Sequence, residues 1–87
     1  MRYTPHPNVL LTELQDGTGV LLHLDTKFYF ALNRTGIATW RALEQGATLE
    51  DVSAALVDRF EIDEPQARRD VEALLSELGA EALVEQR

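Results

Sequence analysis

Short apolar segments alternate with turn-forming residues over the first third of the chain. The apolar segments are 9–14, 20–24 and 27–32, and the turn signals between them are QDGTG (15–19) and DTK (25–27). Connections this short suit hairpins, because parallel strands need a crossover of a dozen or more residues. The pattern therefore predicts a three-stranded antiparallel sheet in which sequential strands pair.

The register of the second hairpin decides which side chains share a face of this sheet. A three-residue turn places Leu22 on the same face as Phe30. A two-residue turn exchanges the partners, because a slip of one residue inverts every side chain. We favour the three-residue turn, which leaves Leu21, His23 and Tyr29 on the opposite face.

From residue 33 the apolar spacing changes from two residues to about 3.6, the period of amphipathic helices. Asn33 or Thr35 is expected to cap a first helix, and Gly46 to end it. Thr48 is expected to open a second helix, where Asp51 takes the Glu position of a capping box.

The third predicted helix covers 64–78, with Asp63 as its cap and Pro65 in its first turn. Outside the helices, the proline-rich segment 5–8 predicts an extended lead-in, and the chain around 83–84 a half-turn or a short strand. The apolar stripe of the third helix is Ala67, Val71, Leu74, Leu75 and Leu78.

This order of elements predicts one domain, covering 1–87, of the α+β class: a three-stranded antiparallel sheet followed by three helices, in a winged helix-turn-helix-like arrangement. The chain is 45% hydrophobic and 26% charged, which fits a globular protein. It has no cysteine, which excludes disulfides and thiolate metal sites. No apolar run reaches the ~18 residues of a transmembrane helix, and the start lacks a secretory signal, so we expect a cytoplasmic protein.

The formal net charge of −7 is carried mainly by the second half of the chain. Residues 44–87 contain twelve acids and four arginines, whereas residues 1–43 are close to neutral. Nucleic acids and anionic membranes attract proteins through Lys and Arg. This charge therefore disfavours both as partners.

Few residues have the spacing of a catalytic or metal site. His6 lies in the lead-in and His23 in a strand, and neither has a carboxylate or a second His at ligand spacing in the sequence. Ser53 and Ser76 lie in predicted helices, without a nucleophile elbow or an adjacent base. We therefore predict no catalytic residue, no metal site and no cofactor.

A winged-helix DNA-binding regulator is the alternative function. The two-helix spacing is present, and Arg68 with Arg69 offers phosphate contacts. The presumed recognition helix also carries Glu64, Asp70 and Glu72, however, and a major-groove reader needs donors for guanine and phosphate. These acids disfavour DNA binding.

The segment KFYFALN (27–33) holds three of the six aromatic residues of the chain. It belongs to the last strand of the meander, so one side of it is predicted to be an edge. Edge strands are normally protected by charges, prolines or bulges, and Lys27 is the only such residue here. A partner peptide adding a strand is therefore expected, unless the third helix or the first strand covers the edge. Tyr29 is the better contact residue, and Phe28 and Phe30 fit the core better.

A family resemblance is carried by an ordered set of residues over about 9–84. An aromatic pair precedes the pattern x-Leu-Asn-x-x-Gly, followed by x-x-x-Trp-x-x-Leu and a Gly-Thr-type cap. The last helix has an Asp-Val pair before a Leu-Leu pair. The chain thus resembles the PqqD-like family of peptide chaperones, except at turn 25–27, which lacks the usual Gly. The matching residues are Tyr29, Phe30, Leu32, Asn33, Gly36, Trp40, Leu43, Gly46, Thr48, Asp70, Val71, Leu74 and Leu75.

The resemblance implies a RiPP recognition element, a winged-helix-like domain without catalytic residues that binds the leader segment of a ribosomally made precursor peptide. The leader is expected to add as a fourth strand to strand 27–32, in the groove against helix 64–78. The implied partners are the precursor and a separate leader peptidase or modifying enzyme, in a lasso-peptide pathway or in pyrroloquinoline-quinone synthesis, of which we favour the lasso-peptide pathway. The expected contact residues are Lys27, Phe28, Tyr29, Phe30, Ala31, Arg68, Val71, Glu72 and Leu75.

Overall fold

Four strands, three helices and a final strand follow one another over residues 3–86, the part of the chain that the computed structural model describes. β2, β3 and β4 form an antiparallel sheet in the order β2-β3-β4, and β1 pairs antiparallel with β5 in a second sheet. The predicted α+β class, three-stranded meander and three helices are confirmed. The elements are β1 (Tyr3–Pro5), β2 (Val9–Glu13), β3 (Gly19–His23), β4 (Tyr29–Leu32), α1 (Arg34–Glu44), α2 (Leu49–Phe60), α3 (Glu64–Ala80) and β5 (Val84–Gln86).

The two ends of the described chain pair with each other. Thr4 of β1 lies opposite Glu85 of β5, and the N–H of His6 donates to the carbonyl oxygen of Leu83 (3.0 Å). The lead-in is extended, as predicted, but Pro5 belongs to regular structure as the last residue of β1. A proline is tolerated there because β1 has a strand partner on one side only.

The β3–β4 hairpin has the opposite register to the one we favoured. Leu21 lies opposite Phe30, and Leu22 lies opposite Tyr29. The buried face of the sheet therefore carries Leu21 and Phe30, and the other face carries Leu22 and Tyr29.

The reason for this register lies in a four-residue turn, 24–27. The N–H of Lys27 donates to the carbonyl oxygen of His23 (2.7 Å), and the N–H of His23 donates to that of Phe28 (3.0 Å). Lys27 closes the turn in the left-handed conformation, with φ of 65°. Because this turn has an even number of residues, the strands pair as they would across the two-residue turn. The longer turn also delays the start of β4 to Tyr29, whereas residue 27 was expected.

Side-chain caps start all three helices at predicted positions. Asn33 accepts a hydrogen bond from the backbone N–H three residues later (2.8 Å). Thr48 and Asp51 form the reciprocal pair of a capping box. Asp63 accepts from the N–H of Gln66 (2.9 Å). These bonds satisfy backbone donors that the first turn of a helix leaves free.

One apolar core joins the three-stranded sheet to the helices. Its largest side chain is Trp40, which is 2% exposed, and the sheet contributes Leu21 and Leu32. Leu74, predicted on the buried stripe of α3, is only half-buried and lies at its flank. The buried residues of α3 are Ala67, Val71, Leu75 and Leu78. None of the helices within residues 3–86 is long and apolar enough to cross a membrane.

Candidate peptide-binding site

The outer edge of β4 is open. Among residues 3–86, β3 is the only strand hydrogen-bonded to β4. The carbonyl of Phe28 accepts from His23 of β3, and the backbone groups of successive strand residues point to alternate sides. Phe30 therefore also bonds to β3, whereas the N–H and C=O groups of Tyr29 and Ala31 point away from it. No backbone group within the described range bonds to these four groups.

A trough runs beside the open edge, between β4 and α3. It consists of two adjoining cavities of about 450 and 290 Å³, which share Asn33, Leu74 and Glu77. We call the two cavities together the β4–α3 trough. The residues of β4 and α3 that line it are Phe30, Ala31, Leu32, Asp70, Val71, Ala73, Leu74 and Glu77.

The β4–α3 trough combines apolar walls with an acidic rim. Phe30 and Leu74 are half-buried, so each keeps part of its apolar surface available to a ligand. Asp70 and Glu77 are exposed along α3, and Asp70 accepts a hydrogen bond from Nε2 of Gln66 (2.7 Å). The β4–α3 trough therefore suits a ligand that carries an apolar side chain and, near it, a basic group.

The strand residues of the predicted site lie at this edge but differ in their surroundings. Tyr29 is 67% exposed and lies on the opposite face of the sheet from Phe30. Ala31 is exposed beside it. Lys27 and Phe28 precede the strand, and the ring centroid of Phe28 lies 6.5 Å from that of Phe30.

Of the four helix residues expected in the wall, the structure brings only Val71 to the β4–α3 trough. Nη2 of Arg68 lies 3.9 Å from Oε1 of Glu50 on α2. Glu72 and Leu75 line a separate cavity against β1 and β5. Leu75 is also a core residue, 3% exposed.

The expected wall differs from the observed one by a rotation about the axis of α3. The apolar stripe of the helix faces the core, and the trough lies along one flank of that stripe. The sequence does not say which flank faces β4. Leu74 could have indicated the correct flank, because it is an apolar residue beside the buried stripe of α3. Glu77 follows on the same side three residues later.

Two histidines that look isolated in the sequence meet in the fold. The ring centroids of His6 and His23 are 4.5 Å apart, and with Asp25 they bring three possible ligand atoms within 4.8 Å of one another. The expectation that neither has such a neighbour is wrong. Nδ1 of His6 accepts from the N–H of Asn8 (3.0 Å), and Nδ1 of His23 accepts from that of Asp25 (3.2 Å).

In both histidines a backbone N–H uses the lone pair of Nδ1, so a ligand bound at Nδ1 would have to displace these hydrogen bonds. Asn8 also donates through its side chain to Asp25 (3.2 Å). The cluster therefore ties the lead-in to the turn before β4.

Comparison with known proteins agrees with this geometry. The family model of PqqD, coenzyme PQQ synthesis protein D, matches residues 18–84, which include the β3–β4 hairpin and all three helices. The chain belongs to the PqqD family. A search of curated proteins finds no match.

Solved structures similar to this PqqD-family chain cover nearly all of it. One is TbiB1 in complex with the TbiA(beta) leader peptide, with 31% identity and a TM-score of 0.86 over 97% of this chain and 96% of that one. Another is lasso peptide synthetase B1 complexed with the leader peptide, with 24% identity and a TM-score of 0.85 over 99% and 100%. The second likeness supports the fold alone.

Proposed function

We propose that this chain binds the leader segment of a ribosomally synthesised precursor peptide and delivers the precursor to a separate leader peptidase or modifying enzyme. The observation that carries the proposal is the open edge of β4 beside the β4–α3 trough. TbiB1, which is 31% identical, forms a complex with a leader peptide, and this supports a leader as the ligand here. We infer a non-catalytic role in the cytoplasm, where ribosomal peptides first become available.

Backbone pairing supplies the part of binding that does not depend on the leader sequence. Tyr29 and Ala31 together offer two N–H donors and two C=O acceptors to an added strand. Each hydrogen bond contributes a net ~0.5–1.5 kcal/mol, because it replaces hydrogen bonds to water. Backbone pairing alone therefore gives modest affinity and little choice between peptides.

Side chains of the added strand supply specificity. Alternate side chains of a strand point to opposite faces, so one set enters the β4–α3 trough and the other lies near Tyr29. We propose that an apolar or aromatic leader residue packs between Phe30 and Leu74, which contributes about 1.5–3 kcal/mol if the side chain is fully buried. A basic leader residue then pairs with Asp70 or Glu77.

Three further residues of the expected site belong to the proposed binding site. Lys27 and Phe28 lie at the turn, where one end of the added strand would meet them, and Val71 lies in the wall of the trough. We favour a lasso-peptide pathway over quinone synthesis, on the basis of the segment LDTKFYFALN (24–33), in which a turn after Leu-Asp is followed by aromatic residues and Leu-Asn.

DNA binding is not favoured. The chain carries a net charge of −7, and exposed Asp70, Glu72 and Glu77 lie along α3, the helix that would enter the major groove. Arg68, one of two candidate phosphate contacts, is near Glu50.

Titration with labelled peptide tests the proposed function. Fluorescence anisotropy is measured with the TbiA(beta) leader, with the leader of a precursor encoded beside the gene for this chain, and with duplex DNA of similar length. We expect one or both leaders to bind, unlabelled leader to compete, and DNA to bind far more weakly at moderate salt. Salt-dependent DNA binding without leader binding would reverse the assignment.

A further inference from the structure

A further cavity, next to the β4–α3 trough, is lined by several positive charges although the protein is acidic. It has a volume of about 400 Å³ and lies where the β2–β3 turn meets α1 and the end of α2. Three of the six Lys and Arg residues within 3–86 line it, namely Arg34, Arg41 and Arg59. Glu13 is the only acid in this lining, and Glu44 pairs with Arg41 from outside it, so three positive charges face two negative ones, on a chain of net charge −7. We call it the arginine cavity.

Two of these arginines have donors available for a ligand. Arg41 is paired with two acids, with 3.2 Å between Nη2 and Oε2 of Glu13 and 3.1 Å between Nη1 and Oε1 of Glu44. Arg34 uses its Nε to donate to the carbonyl oxygen of Asp16 (3.0 Å), and its two terminal nitrogens have no partner within the described range. Arg59 forms no ion pair with any acid among residues 3–86, and its guanidinium lies over the ring of Phe60, with Cζ 5.4 Å from the ring centroid.

Apolar side chains complete the arginine cavity. Leu14 is 50% exposed, and Ile37 and Phe60 are half-buried in its lining. An inorganic anion would use the guanidinium groups and leave this apolar surface uncovered. A peptide with carboxylates and an apolar side chain would cover both.

The arginine cavity begins where the β4–α3 trough ends. Thr18 and Asn33 line the trough, and Gly17 and Arg34, their neighbours along the chain, line the arginine cavity. A strand added to β4 therefore emerges at its Leu32 end beside the arginine cavity. A few more residues of the same peptide would reach it.

We propose that the arginine cavity binds an acidic segment of the precursor peptide that directly flanks the leader strand. Its carboxylates lie against Arg34 and Arg59, and an apolar side chain packs on Leu14 and Phe60. This inference rests on the proposed function and extends it: the ligand carries a basic residue for the acidic rim of the trough and acidic residues beyond the added strand.

The test uses the tighter-binding leader from the titration above, extended by Glu-Glu-Leu or by Gln-Gln-Leu at either end. We expect the Glu extension to raise affinity about five- to tenfold over the Gln extension at one end only, the end that emerges at Leu32. The gain should fade between about 0.05 and 0.5 M salt, because exposed charges are screened. A gain at neither end, or an equal gain at both, would overturn the inference.

Single variants locate the effect. Arg34→Gln and Arg59→Gln should each weaken binding of the Glu-extended peptide about two- to fivefold. The affinity for the Gln-extended peptide should stay unchanged. Arg69→Gln, an exposed arginine on α3 outside the cavity, is the matched control and should change neither. Circular dichroism confirms that each variant folds. If both variants bind the Glu-extended peptide as tightly as the wild type does, this inference alone is overturned. If no leader binds at all, the proposed function itself is overturned.

Discussion

Leu21 lies directly opposite Phe30 in the β3–β4 ladder. Leu21 is fully buried, so the pair lies on the core face, and Phe30 is half-buried against the core. Its neighbour Tyr29 turns to the other face and is 67% exposed. Successive residues of β4 would therefore contact opposite faces of a bound strand. Phe30 would contact the side chains that enter the trough, and Tyr29 those that point away from the trough.

Tyr29→Ala is expected to weaken leader binding by about three- to tenfold. The ring is mostly exposed in the free protein, so its removal should leave the thermal unfolding midpoint nearly unchanged. Anisotropy titration and thermal unfolding check the two parts separately. Unchanged leader affinity in the folded variant would remove Tyr29 from the site.

Two neighbouring leucines of α3 should respond differently to substitution. Leu74→Ala is expected to weaken leader binding with little loss of stability, because Leu74 is half-buried in the trough wall. Leu75→Ala should instead lower the free energy of unfolding by about 2–4 kcal/mol, because Leu75 is 3% exposed in the core.

Leu10→Ala is the control for this pair, since Leu10 is 53% exposed on β2, the strand at the other edge of the sheet. It should alter neither leader binding nor, appreciably, stability. The trough assignment fails if Leu74→Ala binds leader as the wild type does, or if Leu10→Ala weakens binding equally.

Lys27→Gly is expected to stabilise the protein by up to about 1 kcal/mol. Lys27 has φ of 65°, and a left-handed conformation costs a residue with a Cβ about 1–2 kcal/mol, partly offset by the greater entropy that Gly loses on folding. Urea unfolding measures the change. Lys27→Ala removes the same charge but keeps the Cβ, so an equal stabilisation by Ala would contradict the conformational explanation.

The β2–β3 turn should show a dependence on pH through Asp16. The hydroxyl and the N–H of Thr18 donate to its carboxylate (2.6 and 2.9 Å) and hold the pKa of Asp16 below its ordinary value of 3.8. A lowered folded pKa gives a contribution to stability that is complete above the ordinary value and disappears as the pH falls through the folded one.

The stability difference between wild type and Asp16→Ala should therefore be constant near neutral pH and shrink on acidification below about pH 4. Urea unfolding at a series of pH values measures it. A difference that stays constant down to about pH 2 would show that the ionised carboxylate does not matter to the turn.

Local signals in the sequence were enough for most of the fold. The capping residues Asn33, Thr48 and Asp63 each accept from the backbone N–H three residues later, so their spacing alone places the helix starts. The apolar segments and short turns likewise predict the meander. The open edge of β4 follows from strand order, because the last strand of a meander has one neighbour.

What the sequence could not provide depends on contacts between distant residues or on backbone angles. The turn at 24–27 needs Lys27 in a conformation that the residue type does not favour, so the register was predicted wrongly. The meeting of His6 and His23 and the pairing of β1 with β5 depend on the tertiary fold. The choice of Leu74 rather than Leu75 for the trough wall requires the rotation of α3 about its axis.

Amide hydrogen exchange of β4, followed residue by residue by NMR with and without leader peptide, tests the central claim most directly. In the free protein, the N–H groups of Tyr29 and Ala31 should exchange fast, and that of Phe30 slowly, because Phe30 already bonds to β3. Saturating leader should slow Tyr29 and Ala31 strongly and leave Phe30 slow. A leader that binds while both Tyr29 and Ala31 continue to exchange fast would contradict strand addition at this edge.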